Sequence, residues 1–455
     1  MLSQLRKRIR PANLNPSAEE ILLRVRALFG AEPAKDLRPA IAEKIEHLRH
    51  YDLPAMDRAL AILTWGRAGS LLLASYFDGH DDVIVLPELC SQRVYDFFYG
   101  YPSLPLRDKL LAYPVLNSFE TRFFEGTFAI SPAQYYAAVQ AIVEHYADWP
   151  AEFLESRRAF FLFVHIAYNI AIGRQPASSR PLIVYAQHDW DDSVARCLVE
   201  DFPQAKFVHT IRDPISSCNG MFRYLLGRID EDLPRTYIRA PYSALECLTD
   251  NDRPLVGMES RTRTVRFEDL HRDPAEVMRT LADWLDLSYQ PTLLDSTFNG
   301  IPYVVSRDGA SWSGPRVEQA QRHSSGLSPM DRALLFALLY ENFTAWNYSC
   351  PKIFRHQVVR WVVFVSLVLL PTKMEIIAAR ALLTRRTLPS LRRGRIAAAV
   401  ASLLGIGFCR LTIIGLLVPA FLRRCLYGAT LLPVDHKKQP LEHRDDGARA
   451  VRNET

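Results

Sequence analysis

The sequence has few cysteines, and none of them fits a metal-binding or disulfide pattern. The seven cysteines are widely scattered, at positions 90, 197, 218, 247, 350, 409 and 425, and no Cys-x-x-Cys pair occurs. Because a structural zinc site or a disulfide framework needs closely and regularly spaced ligands, we expect neither. Reduced thiols of this kind are typical of a cytosolic protein.

The N-terminus lacks the pattern of a secretory signal. The first fifteen residues, MLSQLRKRIRPANLN, are basic, but no apolar segment follows them. A signal peptide or an N-terminal anchor needs such a segment. We therefore expect the folded part of the chain to face the cytosol.

Acidic residues are almost absent from residues 352–430, which contain 13 Lys and Arg but a single carboxylate, Glu375. The whole chain of 455 residues has a net charge of only +5, so the basic excess is local. A local excess of positive charge indicates that this region binds an anionic surface such as lipid head groups. It does not indicate a protein built throughout to bind nucleic acid.

The rest of the chain has the composition of a globular protein, with 49% hydrophobic and 23% charged residues. Short apolar runs that read as strands, at 59–66, 83–88, 182–187, 206–214 and 262–270, alternate with amphipathic, helix-like stretches. This alternation predicts an α/β fold in which a parallel sheet is flanked by helices. Ser17 and Glu20 form a capping-box pattern at the start of a helical lead-in.

Changes in composition predict four segments. We expect a helical N-terminal segment over 1–55, the α/β domain over 56–350, apolar and basic helices over 351–430, and a polar disordered tail over 431–455. The boundary near residue 351 is a proline, after which the β-α alternation ends.

The first candidate site is the loop after the first strand, in TWGRAGSLLL (64–73). Gly66 and Gly69 permit a tight turn, Arg67 adds a positive charge, and Ser70 begins the next helix. Backbone N–H groups at such a strand-to-helix turn bind phosphate-like anions. The spacing is not that of a Walker A loop, and a plain glycine turn with a surface arginine is the alternative interpretation.

The second candidate site is KFVHTIRDPISSCNG (206–220). Arg212 follows a strand, and ligands of open α/β sheets bind at the carboxyl ends of strands. Ser216, Ser217 and Asn219 lie at the start of the following helix, which they can also cap. A structural Arg–Asp pair is the alternative interpretation of the RDP sequence.

Taken in order, these motifs resemble those of the sulfotransferases that use 3′-phosphoadenosine 5′-phosphosulfate (PAPS). The family's loop R-S-G-T-T-L is similar to RAGSLL at 67–72. Further similar motifs follow in the family's order: GHDDV…PE at 79–88, FPQAKF…RDP at 202–214, RFEDL…DP at 266–274 and NFTAWNY at 342–348. The resemblance covers about residues 58–350 and implies the P-loop-like sulfotransferase fold.

The resemblance also implies residue roles. The loop of Arg67, Ala68, Gly69, Ser70, Leu71 and Leu72 would hold the 5′-phosphosulfate, with Arg67 stabilising the leaving group PAP. Arg212, with Ser216, Ser217 or Asn219, would hold the 3′-phosphate. Glu88 would be the catalytic base and His188 is the alternative base. A surface carboxylate at a strand end and an ordinary hydrogen-bonded histidine are the alternative interpretations of these two residues. No metal is expected, because sulfuryl transfer depends on positioning and on neutralising the leaving group.

Three positions depart from the family's pattern. Leu71 replaces a threonine, Gly220 replaces a serine, and no lysine lies near Gln187. Arg316 and Arg322 are candidates to replace part of the lost charge around the 3′-phosphate, and a surface loop over SWSGPRVEQAQRHSSG is the alternative interpretation. A PAP-binding pseudoenzyme or scaffold is therefore one alternative function. A nucleotide-dependent kinase on a similar fold is another, disfavoured by the absence of a Walker lysine and of magnesium-binding carboxylates.

The tail contains two apolar segments that do not read as simple spans. Residues 358–371 are shorter than the roughly 20 residues that a bilayer requires, and residues 396–422 contain Arg410 at their middle. We expect helices in the plane of the membrane surface, at the cytoplasmic side, in a peripheral or monotopic enzyme. A true span and packing against the enzyme or a partner are the alternatives.

The expected function is transfer of a sulfuryl group to a hydroxyl or amine of a glycan, glycolipid or other membrane-proximal acceptor.

Overall fold

The computed structural model describes residues 16–30, 37–64, 68–88, 90, 93–116, 123–124, 126–188, 192–227, 241–242, 244–246, 248, 257–307, 310–318 and 327–427. The predictions for Gly66, Arg67, Arg322 and the segment 431–455 fall on residues outside these ranges. His188 belongs to a described strand, but its side chain lies outside the description.

The chain is mainly helical. The helices are α1 (Ala18–Phe29), α2 (Arg38–Leu48), α3 (Ser70–Tyr76), α4 (Val94–Gly100), α5 (Leu106–Leu116), α6 (Pro132–His145), α7 (Ala151–Leu154), α8 (Arg157–Ala171), α9 (Asp192–Asp201), α10 (Pro214–Gly227), α11 (Phe267–Arg272), α12 (Pro274–Trp284), α13 (Pro329–Ala345), α14 (Gln357–Leu369), α15 (Lys373–Leu382), α16 (Leu388–Arg392) and α17 (Ile396–Tyr427). Turns of 3₁₀-helix cover Leu53–Ala55, Glu259–Arg261, Pro291–Leu294 and Lys352–Arg355, and a π-helical turn covers Leu383–Thr387.

The strands form one five-stranded sheet and two small hairpins. The strands are β1 (Ala59–Thr64), β2 (Val83–Val85), β3 (Leu182–His188), β4 (Lys206–Ile211), β5 (Thr262–Arg266), β6 (Thr297–Phe298), β7 (Ile301–Pro302), β8 (Val304–Arg307) and β9 (Ala310–Ser313). The sheet order is β2-β3-β1-β4-β5. β2 and β3 are parallel, with Val83 opposite Leu182. The two antiparallel hairpins pair β6 with β7 and β8 with β9.

The predicted fold class is confirmed: a parallel sheet is flanked by helices, with a helical lead-in and a helical, apolar tail. The predicted capping box is also confirmed, since the Ser17 hydroxyl accepts from the Glu20 N–H and the Glu20 carboxylate accepts from the Ser17 N–H. The last predicted strand is too long. β5 ends at Arg266, and the sequence FEDL that follows begins α11.

The chain divides into two compact units. The first comprises the described parts of Met1–Leu63, Ser70–Phe207 and Pro274–Gly314. Its core is rich in aromatic side chains, and α8 is buried along almost its whole length, from Ala159 to Ala171. Tyr113 and Phe160, whose rings meet edge-to-face, are two of these core residues.

The second unit comprises the described parts of Thr64–Gly69, Val208–Asp273 and Pro315–Thr455. Its core is one cluster of apolar side chains from α10, α13 and the tail helices α14, α15 and α17. Phe364 of α14 stacks on Phe421 of α17 with their ring centroids 4.0 Å apart. The tail is therefore an integral part of this unit's core.

Candidate functional site

Gly69 ends the loop after β1 in a conformation that requires glycine. Its φ is +87°, and a Cβ atom at this position would lie 2.6 Å from Cδ2 of Phe267. Any other residue would suffer both backbone strain and a clash. The neighbouring Ala68 is buried. The loop backbone thus rests directly on the Phe267 ring.

The remaining loop residues begin α3. Ser70 is the first residue of this helix and is buried, Leu71 is half-buried, and Leu72 is buried. The hydroxyl of Ser70 therefore lies at the strand-to-helix junction, as the sequence predicts. Leu71, at the position where the family has a threonine, presents no polar group.

Arg212 follows β4, the strand that neighbours β1 in the sheet. Its guanidinium carbon lies 4.3 Å from the centroid of the Phe267 ring, and the residue is buried. The aromatic face stabilises the cation and orients the planar guanidinium. Phe267 therefore contacts both the loop at Gly69 and the guanidinium of Arg212.

The start of α10 carries the predicted polar side chains. Asp213 caps this helix, because its Oδ1 accepts a hydrogen bond from the Ser216 N–H at 2.7 Å. Ser216, Ser217 and Asn219 are all buried within the first two turns. Two hydroxyls and an amide thus follow Arg212 closely, and each is a side chain that can donate to an anion.

The buried carboxyl group of Glu268 binds the backbone at the start of α10. Oε1 of Glu268 accepts from the Asp213 N–H at 3.1 Å, and Oε2 accepts from the Tyr348 hydroxyl at 2.6 Å. Burial raises the pKa of Glu268, while the Tyr348 hydrogen bond and the charge of Arg212 act in the opposite direction. Burial and the neighbouring Glu268 carboxylate also hold the pKa of Tyr348 well above its ordinary value.

The same motif contributes a second buried pair. Arg266 is fully buried and binds Asp269 in a bidentate way, with Nε to Oδ2 at 2.7 Å and Nη2 to Oδ1 at 2.9 Å. A carboxylate partner of this geometry compensates the cost of burying the guanidinium. The sequence RFED (266–269) therefore forms a rigid polar support behind Arg212.

His271 extends the contacts of Phe267. Its ring centroid lies 4.3 Å from that of Phe267, edge-to-face, and its Nδ1 accepts from the Arg316 N–H at 2.9 Å. Burial, helped by the charge of Arg212, lowers the pKa of His271 to about 4. The imidazole is therefore neutral at pH 7. Arg316 makes this contact through its backbone N–H, and the residue is exposed.

The two candidate bases follow neighbouring parallel strands. Glu88 lies three residues after β2, and His188 is the last residue of β3. Since β2 and β3 are paired in parallel, both residues lie at the carboxyl edge of these strands. Glu88 has φ +48°, a left-handed conformation that is rare for a residue with a side chain. Such strain is concentrated at functional sites.

The donor set of the second unit fits a phosphorylated ligand. A buried guanidinium, two buried hydroxyls and a buried amide occur within eight residues. The ring of Phe267, which contacts this guanidinium, also lies against the backbone of Gly69. No group of three or more His, Cys, Asp or Glu side chains that could hold a metal ion occurs in the described part of the chain.

Sequence reasoning missed Phe267, Glu268, His271 and Tyr348 as functional candidates. Phe267 and Glu268 belong to the RFEDL motif, which was recognised as a family feature without a role, and His271 follows it directly. The pairing of Arg266 with Asp269 was not predicted, because the sequence predicts a strand over 262–270, whereas Asp269 lies in α11. The approach of Phe267 to Gly69 and Arg212 depends on the sheet order, and no local pattern in the sequence indicates it.

Comparison with known proteins places the chain among sulfotransferases. Similar solved structures include a sulfotransferase domain from the curacin biosynthetic pathway (TM-score 0.30, 16% identity, 68% of this chain and 97% of that one). They also include a sulfotransferase domain from the Synechococcus PCC 7002 olefin synthase (0.32, 16%, 70% and 98%) and a sulfotransferase from Mycobacterium avium (0.30, 16%, 61% and 80%). No curated protein gives a significant match. The family model described as "Sulfotransferase family" matches residues 60–291, about half of the chain. The chain therefore belongs to the sulfotransferase family.

Proposed function

We propose that this chain is a PAPS-dependent sulfotransferase that transfers a sulfuryl group to a hydroxyl or amine of a glycan, glycolipid or other membrane-proximal acceptor. One observation supports the choice of donor most directly. Arg212 is buried against Phe267 immediately before a helix whose first turns carry Ser216, Ser217 and Asn219. A buried cation followed by buried hydroxyl and amide donors is suited to a phosphate group.

The residues would divide the nucleotide donor between two binding regions. Arg212, Ser216, Ser217 and Asn219 would hold the 3′-phosphate. The loop from Arg67 to Leu72 would hold the 5′-phosphosulfate through its backbone N–H groups and the Ser70 hydroxyl. PAPS, when bound, supplies the activated sulfuryl group. Arg67 would neutralise the charge that develops on the bridging oxygen, a role that rests on the sequence motif.

The departures from the family's pattern have a structural counterpart. Gly220 is buried in α10 and has no side chain to donate, but Ser216, Ser217 and Asn219 are buried in the same two turns. We propose that these three replace the missing serine. Leu71 has no such replacement among the described residues of α3, so the 5′ side would depend more strongly on the loop backbone.

Glu88 would accept the proton of the acceptor, and His188 is the alternative base. The strained backbone of Glu88 supports the first assignment, because strain of this kind clusters at functional sites. The base must act within hydrogen-bond distance of the acceptor, so its position matters as much as its pKa. Glu88→Gln retains the shape and removes the proton acceptor.

The tail supports a place at the cytoplasmic side of a membrane. One described helix, Ile396–Leu426, is long and apolar enough to cross a bilayer by length and composition. The exposed basic residues near its start favour contact with anionic head groups. An enzyme held there would meet lipid-linked or membrane-delivered acceptors, which is why we propose acceptors of this kind.

Isothermal titration of the purified full-length protein with PAP and with ATP tests the nucleotide. We expect PAP to bind and ATP to bind at least tenfold more weakly, whereas a kinase would prefer ATP. Arg212→Ala should weaken PAP binding about 100-fold, since charge-assisted contacts to phosphate contribute about 1.5–3 kcal/mol each. Arg180→Ala, which removes an exposed arginine paired with Asp52, is the matched control and should bind normally.

Turnover separates the enzyme from a PAP-binding scaffold. Membrane extracts incubated with the protein and ³⁵S-labelled PAPS should gain label in a lipid or glycan fraction. Glu88→Gln should abolish the labelling with PAP affinity unchanged, and His188→Ala should reduce it less. The reverse order of the two variants would assign His188 as the base. PAP binding without any labelling would favour the scaffold.

A further inference from the structure

The tail helix α14 has its charged and apolar sides reversed relative to an ordinary surface helix. Arg360 is buried, and its guanidinium binds the Glu341 carboxylate and donates from Nε to the Ala337 carbonyl at 2.9 Å. Val358, Val362 and Val365, spaced four and three residues apart, are exposed on the other side. A helix that faces water normally shows the opposite arrangement.

The long helix α17 repeats this reversal. Arg410 points inward, where its Nη1 lies 2.9 Å from Oε2 of Glu375 and its Nη2 donates to the Leu370 carbonyl at 2.7 Å. Arg424 is buried and donates to Oδ1 of Asn342 at 2.6 Å. The arginine that interrupts the apolar sequence is therefore accommodated by the protein itself.

The outward side of α17 is continuously apolar. Leu404, Phe408 and Leu411 are exposed to 70%, 56% and 68%, at a spacing that keeps them on one side of the helix. We call these three residues, with Val358, Val362 and Val365, the outer apolar face. An apolar surface of this kind on a folded protein marks a binding site for a partner or a membrane.

The charges at the edge of this face have one sign. Arg392, Arg393 and Arg395 are exposed immediately before α17 begins at Ile396. The single carboxylate of residues 352–430, Glu375, is buried and bound to Arg410. The combination of a broad apolar face and an adjacent arginine cluster complements an anionic lipid surface, in which acyl chains lie directly beneath negative head groups.

We propose that the outer apolar face inserts shallowly into one leaflet of a bilayer containing anionic lipids, with α17 lying in the membrane plane, while its inner side stays on the protein core. Ile413, Leu417 and Phe421 belong to the same cluster as α10 and α13. A transmembrane orientation would remove these side chains from that cluster and would carry Arg410 and Arg424 into the bilayer. The proposal goes beyond the sulfotransferase activity and does not depend on it.

Flotation of the full-length protein with vesicles tests the face. We expect binding to vesicles of phosphatidylcholine with 30% phosphatidylglycerol. The double variant Leu404→Glu/Leu411→Glu should lose at least tenfold in vesicle partitioning, because two side chains that would insert among the acyl chains become charged. Leu23→Glu, which places the same charge on an exposed leucine of α1, is the control and should bind like the wild type. Circular dichroism and thermal unfolding should be unchanged for both proteins, since all three leucines are exposed.

The arginine cluster has its own test. Each basic residue near an anionic surface contributes roughly fivefold to partitioning. Replacing Arg392, Arg393 and Arg395 by Gln should therefore reduce binding to the anionic vesicles by about 100-fold and leave binding to pure phosphatidylcholine vesicles unchanged. Salt at 0.5 M should reduce the binding of the wild-type protein to anionic vesicles toward that of the arginine variant.

Two outcomes would overturn the proposal. Resistance of the bound protein to carbonate extraction, with protease access to the two ends of α17 from opposite sides, would show a transmembrane helix. Sedimentation equilibrium that shows a wild-type dimer and a Leu404→Glu/Leu411→Glu monomer, with vesicle binding the same for both, would show that a second copy covers the face.

Discussion

The helices α8 and α17 are both strongly apolar, but the protein uses them in opposite ways. α8 is buried from Ala159 to Ala171, and two of its polar side chains make hydrogen bonds inside the core: Nδ1 of His165 donates to the Phe161 carbonyl, and Asn169 donates to the Tyr51 hydroxyl. In α17 one side is buried and the other is exposed, and only 22% of its most apolar stretch is buried.

The difference lies in where the charges point, and composition does not reveal it. An apolar helix with a full set of neighbours is a core helix, as α8 is. In α17, Arg410 and Arg424 bind partners on the packed side, while Leu404, Phe408 and Leu411 on the free side have no polar group that water stabilises. Two apolar helices therefore require different surroundings. The following predictions test this contrast.

Truncation after Cys350 should have the largest effect. The predicted domain boundary at residue 351 leads to the expectation of a soluble domain. The shared core cluster leads to the opposite expectation, because removing α14–α17 would expose Leu338, Phe343 and their neighbours. We expect the truncated protein to aggregate, and size-exclusion chromatography is the measurement. A monodisperse truncated protein with a sharp thermal transition would show that the tail is only an appendage.

Alanine substitutions on the packed and exposed sides of the tail helices should change the free energy of unfolding by very different amounts. Phe421→Ala removes a buried ring that stacks on Phe364 and should cost about 3–5 kcal/mol of unfolding free energy. Phe161→Ala in α8 should cost as much. Leu411→Ala, on the exposed side, should change the free energy by less than about 0.5 kcal/mol in detergent-free buffer. Urea denaturation of the three variants measures this, and equal losses for Phe421 and Leu411 would contradict the two-sided arrangement.

The Arg410–Glu375 pair should be worth more than a surface pair. Glu375 also accepts from the Thr372 N–H at 2.7 Å, in a capping box of α15. Glu375→Gln leaves the guanidinium of Arg410 without its charge partner, and we expect a loss of about 3 kcal/mol. Glu276→Gln, which disrupts an exposed pair with Arg279, is the control and should lose less than about 1 kcal/mol. Equal losses would place Arg410 in solvent.

Acid should destabilise the protein through α8 and not through α17. Burial lowers the pKa of His165 to about 4, below its ordinary value of 6.5, so the unfolded chain binds a proton between these pH values and the folded protein does not. This contribution to stability is present above pH 6.5 and is lost as the pH falls toward 4. His165→Gln should reduce the fall in unfolding free energy from pH 7 to pH 5 by about 2 kcal/mol. Parallel urea titrations at the two pH values would detect it, and an unchanged pH dependence would contradict the burial.

Much of the architecture follows from the sequence. The strands β1, β3 and β4 lie where short apolar runs predict them, and the capping box of Ser17 sets the start of α1 as expected. Local signals of this type depend on neighbouring residues only. The end of β5 was mispredicted because RFEDL continues the alternation of a strand, whereas the contacts of Phe267, Glu268 and Asp269 favour a helix.

The site could be predicted only in part. Arg212 and the polar residues of α10 are recognisable because they follow a strand directly. The support from Glu268 and Tyr348 could not be predicted, because these residues are 80 positions apart and meet only in the folded chain. The inward direction of Arg410 was equally hidden, since its partner Glu375 lies 35 positions earlier on another helix.

The core cluster of the second unit can form only late in synthesis of the chain. Ile215 and Phe222 of α10 need Ile413 and Phe421 as neighbours, and about 200 residues separate them in the chain. At a translation rate of roughly 5–20 residues per second, these early side chains wait on the order of 10–40 seconds for their neighbours. During that interval a nascent chain presents an open apolar surface, which is a binding site for ribosome-associated chaperones. Synthesis of α17 thus completes this core cluster.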